Sequence, residues 1–305
     1  MISILKLIRF KNLLLIILVQ VLIKYALFHP FGVGITLNAL GFTILVLATV
    51  CIAAAGNIIN DIQDVETDTI NKPKKVIVGK FISEKKAYNL FFALNIIGIA
   101  LGYYVSYSVG KSAFFSIFVI TSLLLYIYAT SLKQMPVIGN IIIATLVGLS
   151  IVIVGIFDLL PVINSSNRES QITFFKIVLD YALFAFIINF IREMVKDIED
   201  IDGDYKAKMN TLPILFGRDR ARVIIFSISI IPLFVIVYYI ITFLYKQPIA
   251  VIYFLIFIVG PLLYISIKLA FAKAKKHFTH ISFILKLVML FGMLSLLLYP
   301  FIIPK

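Results

Sequence analysis

Charge is scarce in this 305-residue chain: Asp, Glu, Lys and Arg make up 14% of it, against 62% hydrophobic residues. With a mean hydropathy of +1.08, an ordinary water-soluble domain is excluded. Cysteine is almost absent. Cys51 stands alone inside an apolar run, so no intramolecular disulfide is available and no cysteine-based site is visible. A glycine-rich nucleotide loop and a Ser-His-Asp order are missing too. No A-x-A cleavage site follows the first apolar run, which is therefore expected to stay in the mature protein.

Apolar length is what the chain has in quantity. Runs able to cross about 30 Å of hydrocarbon as helices recur throughout. They predict an all-α polytopic membrane protein in one transmembrane domain, 1–305, with nine helices near 12–30, 37–60, 87–107, 113–131, 137–157, 172–195, 222–244, 248–270 and 281–302. The net charge of +13 does not point to nucleic acid, because the basic residues sort by loop. Most lie at the N-terminus or after the second, fourth, sixth and eighth spans. The other side has only Lys24, Lys111, Arg168, Lys176, Lys246 and Lys305, with Lys286 left inside the last span. By the positive-inside rule the richer side faces the cytoplasm and the C-terminus lies outside, which places the chain in the cell membrane among its lipids.

The few acids are not scattered. In NIINDIQDVETD, Asp61, Asp64 and Asp68 have offsets of 0, 3 and 7, and Asp197, Asp200 and Asp204 repeat those offsets 136 residues later. If each helix runs on through its motif, about 100° per residue sets the three carboxylates on one face within roughly 60°. Asn57 and Glu193 fall on the same faces, whereas Glu66 and Asp202 turn away. Both triplets end a long span and are followed by basic residues and a proline, which suggests repeat halves near 12–131 and 137–270.

Three like charges on one face repel unless a cation compensates them, so the pattern suits a divalent metal. Oxygen ligands without nearby Cys or His favour Mg²⁺ over zinc. Mg²⁺ held by one or two carboxylates fills its other positions with water and substrate phosphate. Two such sites facing each other fit a diphosphate, and Lys72, Lys74, Lys75 and Lys80 follow the first closely enough to neutralise more of its charge. Arg192 and Glu193 are charges deep in a span, expected there only if paired or functional: Arg192 as a phosphate contact, Glu193 as a group orienting the acceptor. Asn189 is a further polar cavity candidate. His277 and His280 read as part of a basic loop, His29 as interfacial, and Asp158 and Asp180 as solvent-side charges at helix ends.

Asn60-Asp61-x-x-Asp64-x-x-x-Asp68 resembles the NDxxDxxxD motif of the UbiA superfamily of intramembrane prenyltransferases, and Asp197-x-x-Asp200-x-x-x-Asp204 resembles that family's second acidic motif. The resemblance implies nine helices around a central cavity, open laterally to lipid. Asn60, Asp61, Asp64 and Asp68 would hold Mg²⁺ and donor diphosphate from one side, with Asp197, Asp200 and Asp204 on the other. Within YATSLKQMPVIGN, Tyr128 and Lys133 are similar to the family's Tyr-to-Lys element, implying a substrate or cation neighbour and a phosphate contact, although here they are five residues apart where many members have four.

The implied reaction is Mg²⁺-dependent transfer of a polyprenyl group from its diphosphate through an allylic carbocation. The text around the motifs looks most like the branch that geranylgeranylates geranylgeranylglyceryl phosphate. NKPKKVIVGK departs from that branch's NKPxRPIPSG by Lys75 and Val76, which loses bidentate guanidinium geometry. An aromatic acceptor such as 4-hydroxybenzoate, homogentisate or a naphthoate stays open. So does a cation-coupled transporter, in which the acids would sit near mid-membrane in broken helices.

Overall fold

A computed structural model describes residues 2–302; Lys305, expected outside the membrane, falls beyond them. A short helix, α1 (Ile2–Leu7), leads into nine helices long and apolar enough to cross a bilayer among the described residues. These are α2 (Phe10–Phe31), α3 (Ala39–Gln63), α5 (Glu84–Ser108), α6 (Ser112–Thr130), α7 (Ile138–Val162), α8 (Arg168–Glu199), α11 (Arg218–Leu244), α12 (Pro248–Phe271) and α13 (Lys275–Phe301). Between them lie the short helices α4 (Val65–Asn71), α9 (Ile201–Lys206) and α10 (Leu212–Phe216). The protein is an integral, multi-pass membrane protein, and the nine expected spans are all present.

Without water in hydrocarbon, each backbone group must bond within its own segment, which is why the runs fold as helices. Polar caps start two of them: the Asn38 side chain accepts from Gly41 N at 2.8 Å before α3, and Ser83 accepts from Lys86 N before α5. The largest departure from expectation is α8. Its 32 residues extend about 48 Å, well beyond the hydrocarbon thickness, and carry the helix past the expected end at 195 through Asp197 to Glu199.

α3 packs along α5, α7 along α8, and α8 along α13. Small residues allow the close approaches: a Cβ on Gly98 would meet Ile52 and stand 3.2 Å from the Ala48 carbonyl oxygen. α8 joins two cores. Its first half, from Phe174 to Ala185, packs into one with α2, α3 and α7; its second half, from Ile188 to Ile198, packs into another with α11, α12 and α13.

Asp158 corrects an expectation. It is fully buried, not solvent-side, and binds Lys24 Nζ at 2.9 Å. It also accepts from Leu37 N at 2.9 Å, while Lys24 donates to the Leu37 carbonyl at 2.6 Å. This closed network fastens α2 and the entrance to α3 onto α7, and losing either charge would strand the other, at a cost of about 3–5 kcal/mol. Asp180 is exposed, as expected.

Candidate active site

Both acidic motifs take the same backbone path, and neither helix runs straight through. α3 ends at Gln63, Asp64 adopts φ −94°, ψ 5°, and α4 restarts at Val65. α8 ends at Glu199, Asp200 adopts φ −101°, ψ 7°, and α9 restarts at Ile201. The i to i−4 bonds survive each bend: Asp64 N to Asn60 O is 2.9 Å and Asp68 N to Asp64 O 2.8 Å, matched by Asp200 N to Lys196 O at 2.8 Å and Asp204 N to Asp200 O at 3.2 Å. The straight-helix picture therefore fails at the middle aspartate of each triplet. Consistent with that, no three acidic, Cys or His side chains among the described residues converge on one point as a metal cage.

The bends point the triplets at each other. α4 and α9 pack together, with Asn71 as the clasp: its Nδ2 donates to the Asp200 carbonyl at 2.7 Å and its Oδ1 accepts from Gly203 N at 2.9 Å. Gly203 is required there, since a Cβ would press on the Asn71 amide and lie 2.8 Å from the Thr67 carbonyl oxygen. Lys275, at the start of α13, closes the clasp by donating to the Asn71 carbonyl at 3.0 Å.

A cavity of about 1110 Å³ lies behind this clasp, lined by all six aspartates. Asn57, Asn60, Lys72, Lys75, Tyr128, Lys133, Arg192 and Glu193 line it as well. Lys80 does not, which corrects its assignment. Gly79, at φ +82°, turns residues 77–82 into a tight loop closed by Phe81 N to Ile77 O at 2.9 Å. That loop carries Lys80 away to the Pro73 carbonyl, at 2.9 Å.

Five of the six aspartates are already partnered by protein groups. Arg9 binds Asp61 at 2.7 Å, Lys133 binds Asp64 at 2.5 Å, and Lys72 crosses between halves to Asp200 at 2.5 Å. Asn60 Nδ2 donates to Asp64 at 2.6 Å, Asn140 Nδ2 to Asp197 at 2.9 Å, and the Thr211 hydroxyl to Asp204 at 3.5 Å. Glu193 is held between Arg192 at 2.9 Å and Lys196 at 2.7 Å, and Asn57 donates to the Ile8 carbonyl at 3.0 Å. Glu66 and Asp202 are exposed, in line with their exclusion.

Burial, then the Asp200 and Asp64 charges, pushes the Asp204 carboxyl up to about 7. Burial and Asp64 likewise raise Asp68. Burial opposes the charge on Lys72 and on Arg9, but Asp200 and Asp61 respectively outweigh it, and both cations are held above their usual values. Two buried oxygens, Asn60 Oδ1 and Asp200 Oδ1, have no hydrogen-bond partner. Acceptors left over beside a raised carboxyl are hard-oxygen ligands, and this set fits Mg²⁺ completed by substrate phosphate.

Sequence reasoning overlooked Arg9, Asn140, Asn71 and Lys275. In the sequence Arg9 and Lys275 read only as topology signals, and Asn140, at the end of YATSLKQMPVIGN, belongs to no acidic motif. The turn before it holds Val137 at φ +66°. A β-branched residue in that region is strained, as backbones are where a turn must aim side chains such as Lys133 and Asn140.

Residues 17–287 match the UbiA prenyltransferase family, and the chain belongs to it; it is an enzyme of prenyl transfer, which sets the transporter aside. The digeranylgeranylglyceryl phosphate synthase of Methanosphaera stadtmanae is 31% identical over 258 residues, 82% of this chain and 86% of that protein. Its counterpart in Korarchaeum cryptofilum is 31% identical over 252 residues, 81% of each. The fold is shared with a solved structure described as a digeranylgeranylglyceryl phosphate synthase in membranes, at 24% identity and TM-score 0.60 over 97% of this chain and 98% of that one. It is shared also with a UbiA homologue from Archaeoglobus fulgidus bound to DMAPP and Mg²⁺, at 17% identity and TM-score 0.54 over 97% and 99%.

Proposed function

We propose that this protein transfers a geranylgeranyl group from its diphosphate to geranylgeranylglyceryl phosphate, releasing diphosphate. The observation that carries the reading is that both acidic motifs line one cavity, in a chain 31% identical to a digeranylgeranylglyceryl phosphate synthase over 82% of its length. Asn60, Asp61, Asp64 and Asp68 would hold Mg²⁺ from one side and Asp197, Asp200 and Asp204 from the other. When bound, the metal supplies positive charge to a departing diphosphate. Lys72, Lys75 and Lys133 bind its phosphate oxygens, and Phe118, Leu125, Phe184 and Met293, which line the cavity, take the prenyl tail and exclude water from the allylic cation.

The donor C–O bond breaks with its electron pair going to diphosphate, and the acceptor hydroxyl oxygen forms the new bond to that carbon. Its proton passes to the departing diphosphate. Glu193, held between Arg192 and Lys196, orients the acceptor. Tyr128 neighbours the reacting carbon. The motifs open on the cytoplasmic face of the cell membrane, and the two halves, about 12–131 and 137–270, are repeats within one domain.

Purified protein with Mg²⁺ and radiolabelled geranylgeranyl diphosphate is expected to label geranylgeranylglyceryl phosphate in preference to 4-hydroxybenzoate, homogentisate and a naphthoate. An aromatic product alone would overturn the acceptor. No product with any acceptor, and no diphosphate release, would overturn the reaction.

A further inference from the structure

Lys286 is a cation within a membrane span. It lies in α13 and lines the cavity, where a charge is expensive unless it does something. Its ammonium donates to Asn12 Oδ1 at 2.6 Å, and among the described residues no carboxylate pairs with it.

α8, against which α13 packs, offers buried N–H groups that lack an acceptor. Asn189 Nδ2 and Arg192 Nε are buried without a hydrogen-bond partner, and Asn189 is 3% exposed. α13 lies against α8 so closely that a Cβ on Gly292 would strike the Phe184 ring. Both residues and Lys286 line the same cavity. Arg192 is five residues before Asp197, about 7.5 Å nearer the middle of α8. The cavity therefore has two polar tiers of opposite character. The outer one is rich in acids, with two acceptor oxygens unpaired. The inner one sets Arg192 and Lys286 against a single acid, Glu193, which Arg192 holds at 2.9 Å, and keeps spare N–H groups, which a desolvated anion would satisfy.

We infer that Lys286, Asn189 and Arg192 form a second anion site, which takes the phosphate monoester of the acceptor; this rests on the acceptor proposed above. The two tiers would tell two phosphates apart. A diphosphate accompanied by a divalent cation suits the aspartates, whereas a metal-free monoester is repelled by them and held by direct donors deeper in. The offset between tiers is commensurate with a glycerol backbone, so anchoring the phosphate at the inner tier presents the hydroxyl toward the donor carbon.

The test is equilibrium binding of radiolabelled geranylgeranylglyceryl phosphate to the detergent-solubilised protein in EDTA, with its dephosphorylated alcohol as comparison. The wild type is expected to prefer the phosphate. Lys286→Gln and Asn189→Leu should weaken its binding about 10- to 100-fold and remove that preference. Lys286→Arg should keep most of it, and geranylgeranyl diphosphate binding in Mg²⁺ should be unchanged in all three. Equal wild-type binding of phosphate and alcohol, or undiminished binding in Lys286→Gln with an unaltered melting temperature, would overturn the site. Transfer assays separate the two claims. Phosphate binding lost with Lys286, alongside transfer only to an aromatic acceptor, would sink the acceptor and leave the anion site. Transfer to the glyceryl phosphate with an unchanged acceptor KM in Lys286→Gln would sink the site and leave the function.

Discussion

The two acidic motifs share spacing, bend and place in the cavity, but not their supply of positive charge. Asp61 and Asp64 each have a cation, Arg9 and Lys133. The second motif has one, Lys72, borrowed from the loop after the first, and otherwise relies on the neutral donors Asn140 and Thr211. Its last carboxyl, on Asp204, is raised to about 7. Similar backbones can therefore carry dissimilar electrostatics, and a metal would relieve more repulsion on the second side than on the first.

The comparison breaks most severely if one motif is dispensable. Asp64→Ala and Asp200→Ala are each expected to lower the transfer rate about 10³-fold or more, read from initial rates on protein that still elutes as a single folded species. Near-normal turnover in either would remove that half from the site. Gly203→Ala should come next. Its Cβ has no room between Thr67 and Asn71, so the motifs part, with about 1–3 kcal/mol lost in stability and a larger loss in rate than in donor binding. Melting temperature and kcat measured together check this.

Lys72→Met and Lys133→Met sharpen the comparison. Removing the lone cation of the poorer motif should raise donor KM about tenfold, while Lys133→Met should cost about threefold because Arg9 stays in place. Equal effects would mean that the two sides share their charges. The smallest effect concerns protons. With a folded-state carboxyl near 7 and an ordinary unfolded value near 4, Asp204 makes the metal-free protein lose stability as pH rises from about 4 to about 7. Below pH 7 metal must displace its proton, so Mg²⁺ affinity should fall as pH drops from 8 to 6. Asp204→Asn should flatten both the melting profile and the Mg²⁺ titration.

The spans were legible because hydrocarbon demands about 20 apolar residues in a row, and the six aspartates because charge at such a boundary is costly. The bends at Asp64 and Asp200 were not, since neither has a proline or glycine beside it to mark a break. Long-range pairing hid the rest. Lys24 meets Asp158 across 134 residues and Arg9 meets Asp61 across 52, and a loop count that treats every basic residue as a topology signal cannot separate those with structural partners. Lys80 failed for the opposite reason: proximity in sequence suggested the cavity, and a left-handed glycine turned it out.

Because Arg9, Lys72 and Lys133 each already hold an acid, a donor arriving with its counter-cation need not add charge to the cavity. Partners can be swapped: the lysines pass from carboxylate to phosphate as the carboxylates pass to the cation, and the local sum hardly changes. Loading would then resemble ion exchange more than capture by an open charge, with donor affinity depending only weakly on ionic strength.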